Sequence, residues 1–397
     1  MNVNTVLCAL RGVTAYKDIL DRPVMEAALR LVTCAAQGDG LGGLEAYTDL
    51  FYRLRVEGRP GLGHWLAEAL RWSEGPYPLL AGRGGLDPAL EQAARLDISA
   101  FELLASVDCD KWLAHLGRVL DSGYQGVLTS LPRWQRGVPF SFDQLTAAYR
   151  AEGTGKFARY RAFVWENGAL IPVEHPDCPA SDQLLGYDAQ RAEVARNTRA
   201  LVEGNYVNNV LLYGESGTGK SATVKHLLTL PDMGELRLIE ADKENLSGLP
   251  ALIRGLDGRR QKFIVFIDDL TFDRDDPTYS VLKTILEGGV ERRPQNVAVY
   301  ATSNRRHLVR QTISERAGDE MDRSETIREK TSLADRFGLR VLFQGLNKTE
   351  FLALVDMLAA QRGVDLPREE LHAQAVAWER FHGAQTPRTA LQFILSL

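Results

Sequence analysis

The sequence lacks long apolar runs, is poor in cysteine and has no excess of positive charge. Each lack narrows what the protein does. No stretch approaches the ~18 consecutive apolar residues of a membrane-spanning helix, so no membrane partner is expected. The opening residues, Met1-Asn2-Val3-Asn4-Thr5-Val6-Leu7-Cys8-Ala9-Leu10, place no basic segment ahead of their short apolar run. They do not read as a signal peptide, and a cytoplasmic location is the expectation. The four cysteines, Cys8, Cys34, Cys109 and Cys178, are far apart and form no CxxC pair. That argues against a zinc site and against a disulfide framework. Net charge is −5; residues 1–160 hold 17 Lys and Arg against 18 Asp and Glu, and the remainder 30 against 34. Neither part shows the basic excess that marks phosphate contacts along a nucleic acid, although a local basic loop leaves that partner open.

What is present is an ordinary globular composition: 397 residues, 45% hydrophobic and 25% charged. That length suggests two or three domains, each with a buried core. Residues 1–155 read as an all-α N-terminal domain, with apolar positions at helical spacing in Val24–Cys34, Leu44–Leu54, Trp65–Trp72, Leu90–Leu96, Ile98–Val107 and Trp112–Leu120. Asp87-Pro88 reads as a helix cap followed by proline in the first turn. No catalytic constellation stands out there, and a scaffold or interaction role is the expectation.

Residues 156–181 read as a hairpin and linker. Two short apolar arms within Phe163–Val173 flank Asn167-Gly168, the strongest short hairpin signal. Beyond 182, short apolar runs alternate with helical stretches. The expected strands are Asn209–Tyr213, Leu236–Ala241, Phe263–Ile267, Val297–Ala301 and Leu339–Phe343. Runs that are apolar on both faces suit a five-stranded parallel sheet covered by helices. After Leu346 only helical periodicity remains, over 348–362, 367–381 and 387–397.

The chemistry begins at Gly214-Glu215-Ser216-Gly217-Thr218-Gly219-Lys220-Ser221, which fits G-x-x-x-x-G-K-[S/T]. Context supports a phosphate cradle, because Val210–Tyr213 supplies the preceding strand and Ser221–Leu228 the following helix. Glycines let the backbone turn its N–H groups toward phosphate, and the helix N-terminus favours an anion. Lys220 is expected on the β and γ phosphates, Ser221 on Mg²⁺, and Ala222 at the start of the helix against the phosphates. About 50 residues on, Phe263–Ile267 runs into Asp268-Asp269. A buried strand ending in two acids suits a Walker B element. Asp268 would hold Mg²⁺ and Asp269 would polarise the attacking water.

Over about 182–397 these residues resemble the AAA+ ATPase superfamily. Leu184–Arg191, with Tyr187, resembles the segment that packs on adenine. Val299–Asn304 resembles the sensor 1 strand, Ser332–Gly338 the arginine-finger segment, and Thr386–Ala390 the sensor 2 start of the last lid helix. Phe266–Phe272 together with Tyr300–Leu308 is similar to an uncharacterised bacterial family known only as an AAA+-like domain of unknown function. The resemblance implies an α/β P-loop core over 182–346 and a small helical lid over 347–397. It implies ATP and Mg²⁺ as cofactors and Asn304, Arg336 and Arg388 as catalytic groups beside Lys220 and Asp269. It also implies a homo-oligomeric ring with ATP between subunits, acting on a protein client or adaptor.

The Walker B pair departs from the superfamily's usual Asp-Glu. Aspartate is shorter by one methylene, and catalytic reach is sensitive to about 1 Å, so slower turnover is expected. Asn304 alternatively caps a helix starting at Arg305, Arg336 alternatively pairs with Asp335 or Glu329, and Arg388 is alternatively an ordinary helix cation. Arg305, Arg306 and Arg310 read as a solvated basic face. The charged stretch Gln311–Thr331 reads as a finger-placing loop or an exposed helix. Two uses fit the whole: a hydrolysing machine, or a switch in which ATP controls assembly with little turnover. A small-molecule kinase fits less well, because it has no need of a finger in trans.

Overall fold

The computed structural model describes residues 2–85, 87–137, 139–272, 277–287, 292–304 and 333–397. They form two compact units, Met1–Arg159 and Tyr160–Leu397.

The first unit is helical among its described residues. Its longer helices are Pro23–Gln37, Gly40–Val56, Pro88–Ala105, Cys109–Val119 and Phe142–Glu152. Asp87 accepts the N–H groups of Ala89 and Leu90, with Pro88 in the first turn. This is the asymmetry of an acidic cap and a pre-organised proline. Tyr16, Tyr47, Phe101 and Trp112 fill the core. The buried carboxylate of Asp97 accepts the N–H groups of Thr14, Ala15 and Tyr16. That satisfies a charge which burial otherwise penalises, and burial still pushes its acid up from the ordinary carboxylate value.

Among the described residues, the second unit is built on seven strands: β1 (Ala162–Glu166), β2 (Ala169–Val173), β3 (Val210–Gly214), β4 (Leu236–Ala241), β5 (Lys262–Ile267), β6 (Val297–Ser303) and β7 (Leu339–Phe343). Their order is β2-β1-β4-β5-β6-β3-β7. The sheet therefore has seven strands, not the five expected. The five are present as a parallel set, and the hairpin read as a connector extends it. β1 pairs parallel with β4, and β2 returns antiparallel on the edge. Asn167 and Gly168 both take positive φ, 51° and 76°, the type I′ turn that matches strand twist. β1 joins the sheet because Ala162, Phe163 and Trp165 are buried there. The β2 edge is mostly exposed.

All seven residues of β6 are buried, as are the five apolar residues of β5. This is why those runs read as continuously apolar. β3 lies between β6 and β7, whereas the chain continues from it to β4 on the other side. The strand order thus reverses beside β3. Ligands bind at the carboxyl ends of parallel strands at such a point. The lid helices, Lys348–Arg362, Arg368–His382 and Pro387–Leu395, enclose their own core around Phe351, Val355, Leu371 and Phe393. No helix among the described residues is long and apolar enough to cross a membrane.

Candidate functional site

The loop after β3 is held tightly. Gly214 has φ 140°, and a Cβ there would sit 2.0 Å from the Phe343 carbonyl oxygen. Only glycine lets β3 leave the sheet so close to β7. The Glu215 N–H donates to that same carbonyl at 3.1 Å. Gly217 and Gly219 take φ 79° and 89°, and helix Lys220–His226 starts at once. A Cβ on Gly217 would meet Thr386 Oγ1 at 3.0 Å and Arg388 Cβ at 3.1 Å. The lid helix therefore begins against the loop, and the Arg388 N–H donates to the Gly217 carbonyl at 3.3 Å.

Lys220 is only 6% exposed. Its ammonium donates to Gly214 O at 3.1 Å, Glu215 O at 2.6 Å and Asn304 Oδ1 at 2.8 Å. Burial lowers its pKa below the ordinary lysine value; Asp269 and Asp268 oppose that shift and Arg388 adds to it. Asn304 turns its other end to Asp269, with Nδ2 donating to Oδ1 at 2.8 Å. The Ser221 hydroxyl donates to Asp268 Oδ1 at 2.6 Å. Sheet register explains the convergence. Ile267 pairs with Ala301 and Leu212 with Thr302, so Asp268, Thr302 and the start of the phosphate loop lie at one level.

These groups open onto a cavity of about 1010 Å³ between the strand ends and the lid. Ser216 to Ala222, Asp268, Asp269, Asn304 and Arg388 line it. Leu184, Leu185, Leu358, Pro387 and Leu391 supply an apolar end. A nucleotide fits this division, with phosphates at the loop and a flat ring between aliphatic side chains. The donor set fits an anion and a divalent ion as well. The Lys220 hydrogen bonds go to neutral oxygens, and Ser221 faces Asp268.

Two expected residues lie elsewhere. The Tyr187 hydroxyl donates to Gln344 O at 2.6 Å, and its ring packs 5.1 Å from that of Phe343. It does not line the cavity; Leu184 and Leu185 of the same segment do. Burial, with Glu215 and Glu350 nearby, pushes the Tyr187 phenol up to about 12. Arg336 is ion-paired with Glu287 and also does not line the cavity. Arg305, Arg306, Arg310 and Gln311–Thr331 lie outside the described residues.

Sequence reasoning passed over Thr302. Its hydroxyl donates to Asp268 Oδ1 and accepts the Asp269 N–H at 2.9 Å. The only signal was its place in Ala301-Thr302-Ser303-Asn304, two residues before Asn304.

Strand order, loop, acid pair and helical lid together define an AAA+ P-loop ATPase fold. A family model described as a protein of unknown function, DUF815, matches residues 158–397. The chain belongs to that family. Among curated relatives, ORC1-type DNA replication protein 2 of Halobacterium salinarum is 33% identical over 64 residues, which is 16% of this chain and 24% of that protein. ORC1-type DNA replication protein 9 of Haloarcula marismortui is 28% identical over 86 residues, 22% of this chain and 18% of that protein. The matched part is thus a quarter or less of either relative's length. Among solved structures, the Thermotoga maritima RuvB Holliday junction branch migration motor superimposes with a TM-score of 0.35 at 16% identity, over 54% of this chain and 63% of that one.

Proposed function

We propose that the protein binds ATP with Mg²⁺ in this cavity and hydrolyses it between subunits, so as to remodel or regulate a protein client. The observation that carries the reading is one hydrogen-bonded network. Lys220, Asn304 and Asp269 form a chain, and Ser221 meets Asp268 beside it. Mg²⁺ held by Ser221 and Asp268 would neutralise charge on the phosphate oxygens. Lys220 and the loop N–H groups hold the phosphates, Asp269 takes the proton of the attacking water, and Asn304 keeps that carboxylate aimed. Arg388 brings the lid's positive charge to the same place.

The finger role rests on the resemblance of Ser332–Gly338 to the arginine-finger segment, and Arg336 does not line its own chain's cavity. A cation there serves a γ-phosphoryl group only if that group belongs to a neighbour. Domain limits follow the same reading: a helical N-terminal domain for the client or adaptor, a nucleotide core to 346 and a lid to 397. Asp269 in place of glutamate favours a second reading, an ATP-operated assembly switch with little turnover.

Steady-state ATPase rate per subunit, measured against protein concentration, separates them. The first reading expects a rate that climbs with concentration and then levels. A flat rate near zero with tight ATP binding favours the switch, and phosphate transfer to a metabolite would sink both.

A further inference from the structure

We infer that Thr302 is the positioning residue that makes the short acid Asp269 usable as the water-polarising base. The inference rests on the hydrolytic reading above. Asp269 has φ 48°, the left-handed conformation that aspartate tolerates better than most residues, glutamate among them. Helical capping does not produce it, because the residues after Ile267 form no helix until Pro277 among those described. Thr302 accounts for it. This residue is 2% exposed at the end of β6. Its Oγ1 accepts the Asp269 N–H at 2.9 Å, and its carbonyl accepts the Leu270 N–H at 2.7 Å. Two successive N–H groups are thereby drawn onto one residue, which turns the chain sharply straight after Asp268.

The turn has two consequences. The Thr302 hydroxyl has one proton, and it goes to Asp268. The metal-side acid is therefore oriented by the same oxygen that fixes the backbone of its neighbour. Asp269 is swung so that its carboxylate meets Asn304, which meets Lys220. A left-handed backbone re-aims the side chain, and this supplies by direction what the missing methylene denies in length. The acid and the turn belong together: an aspartate suits the turn, and the turn gives the aspartate its reach.

Thr302→Val keeps the shape and removes the hydroxyl, leaving the Asp269 N–H without its acceptor. Thr302→Ser keeps the hydroxyl. Three measurements test the inference: kcat, KM for ATP, and amide hydrogen exchange at Asp269. In Thr302→Val, kcat falls at least about a hundredfold, KM stays within about threefold, and exchange at Asp269 speeds at least about tenfold, consistent with loss of a base-positioning contact. In Thr302→Ser, kcat stays within about fivefold of wild type, and so does exchange. An unchanged kcat in Thr302→Val overturns the inference, as does a lost kcat with unchanged exchange. If the wild type itself binds ATP without turnover, the hydrolytic reading fails and takes this role with it. That result is recognised in the wild type alone, before any variant is compared.

Discussion

Lys220→Met is expected to weaken ATP binding by ~30- to 150-fold, the equivalent of the about 2–3 kcal/mol carried by a charge-assisted hydrogen bond to phosphate. Methionine keeps a buried aliphatic stem and discards only the ammonium. In the ligand-free chain that ammonium is spent on Gly214 O, Glu215 O and Asn304 Oδ1. These are neutral acceptors, so exchanging them for phosphate oxygens strengthens every contact. Turnover in this variant should be undetectable, because phosphate is also mispositioned. The depressed pKa of Lys220 adds a pH signature. Burial makes the ligand-free fold give up this proton more readily than an ordinary lysine does, whereas phosphate favours the cation, so binding takes up a proton as pH rises through the lowered pKa. ATP affinity of the wild type should therefore decline on the alkaline side sooner than an ordinary lysine would dictate. Lys220→Met should lack that limb. Titration calorimetry over a pH series checks both, and equal affinity for wild type and variant would remove Lys220 from the site.

Arg336→Ala is expected to lower kcat by about a thousandfold, the low end of what a finger contributes, with ATP affinity within about threefold. The residue ends the short helical turn Ala334–Arg336, directly before β7, and pairs with Glu287 at the end of helix Pro277–Glu287. Both side chains are partly exposed, and an ion pair of that kind contributes about 0–1 kcal/mol. The fold should therefore survive the substitution, and melting temperature is the control. Retained turnover would show that Arg336 is not a finger and that its pairing with Glu287 is structural. Loss of binding together with turnover would place it in its own chain's site, which the cavity's lining does not favour.

Much of this was legible in the sequence because buried parallel strands advertise themselves. β4 and β7 appear at the expected residues, and β5 and β6 extend theirs by one and two residues. A run apolar on both faces has few other homes. The turn after β3 was legible for a different reason: positive φ at Gly214, Gly217 and Gly219, with a helix opening at Lys220, requires glycine at fixed spacing. The hairpin's place in the sheet was not legible. Asn167-Gly168 signals the turn locally, but pairing of β1 with β4 joins residues about 75 apart, and no local pattern encodes it. The segment ahead of the loop was recognisable, yet which of its side chains face the cavity depends on the left-handed backbone at Tyr187. That turn sends the phenol to Gln344 and leaves Leu184 and Leu185 at the cavity. Thr302 was hidden because its role comes from register. Nothing in Ala301-Thr302-Ser303-Asn304 says which residue stands level with Asp268.

The central claim, a site completed by a second copy of the chain, is tested most directly by mixing two inactive variants. Lys220→Met supplies Arg336 but cannot use ATP, and Arg336→Ala holds ATP but lacks the finger. Steady-state ATPase activity of each alone and of an equal mixture is the measurement. A shared site predicts near-zero rates apart and a clear gain of turnover on mixing. A mixture that stays inactive under conditions where the two variants co-assemble, or an Arg336→Ala protein that turns over at the wild-type rate, would contradict it.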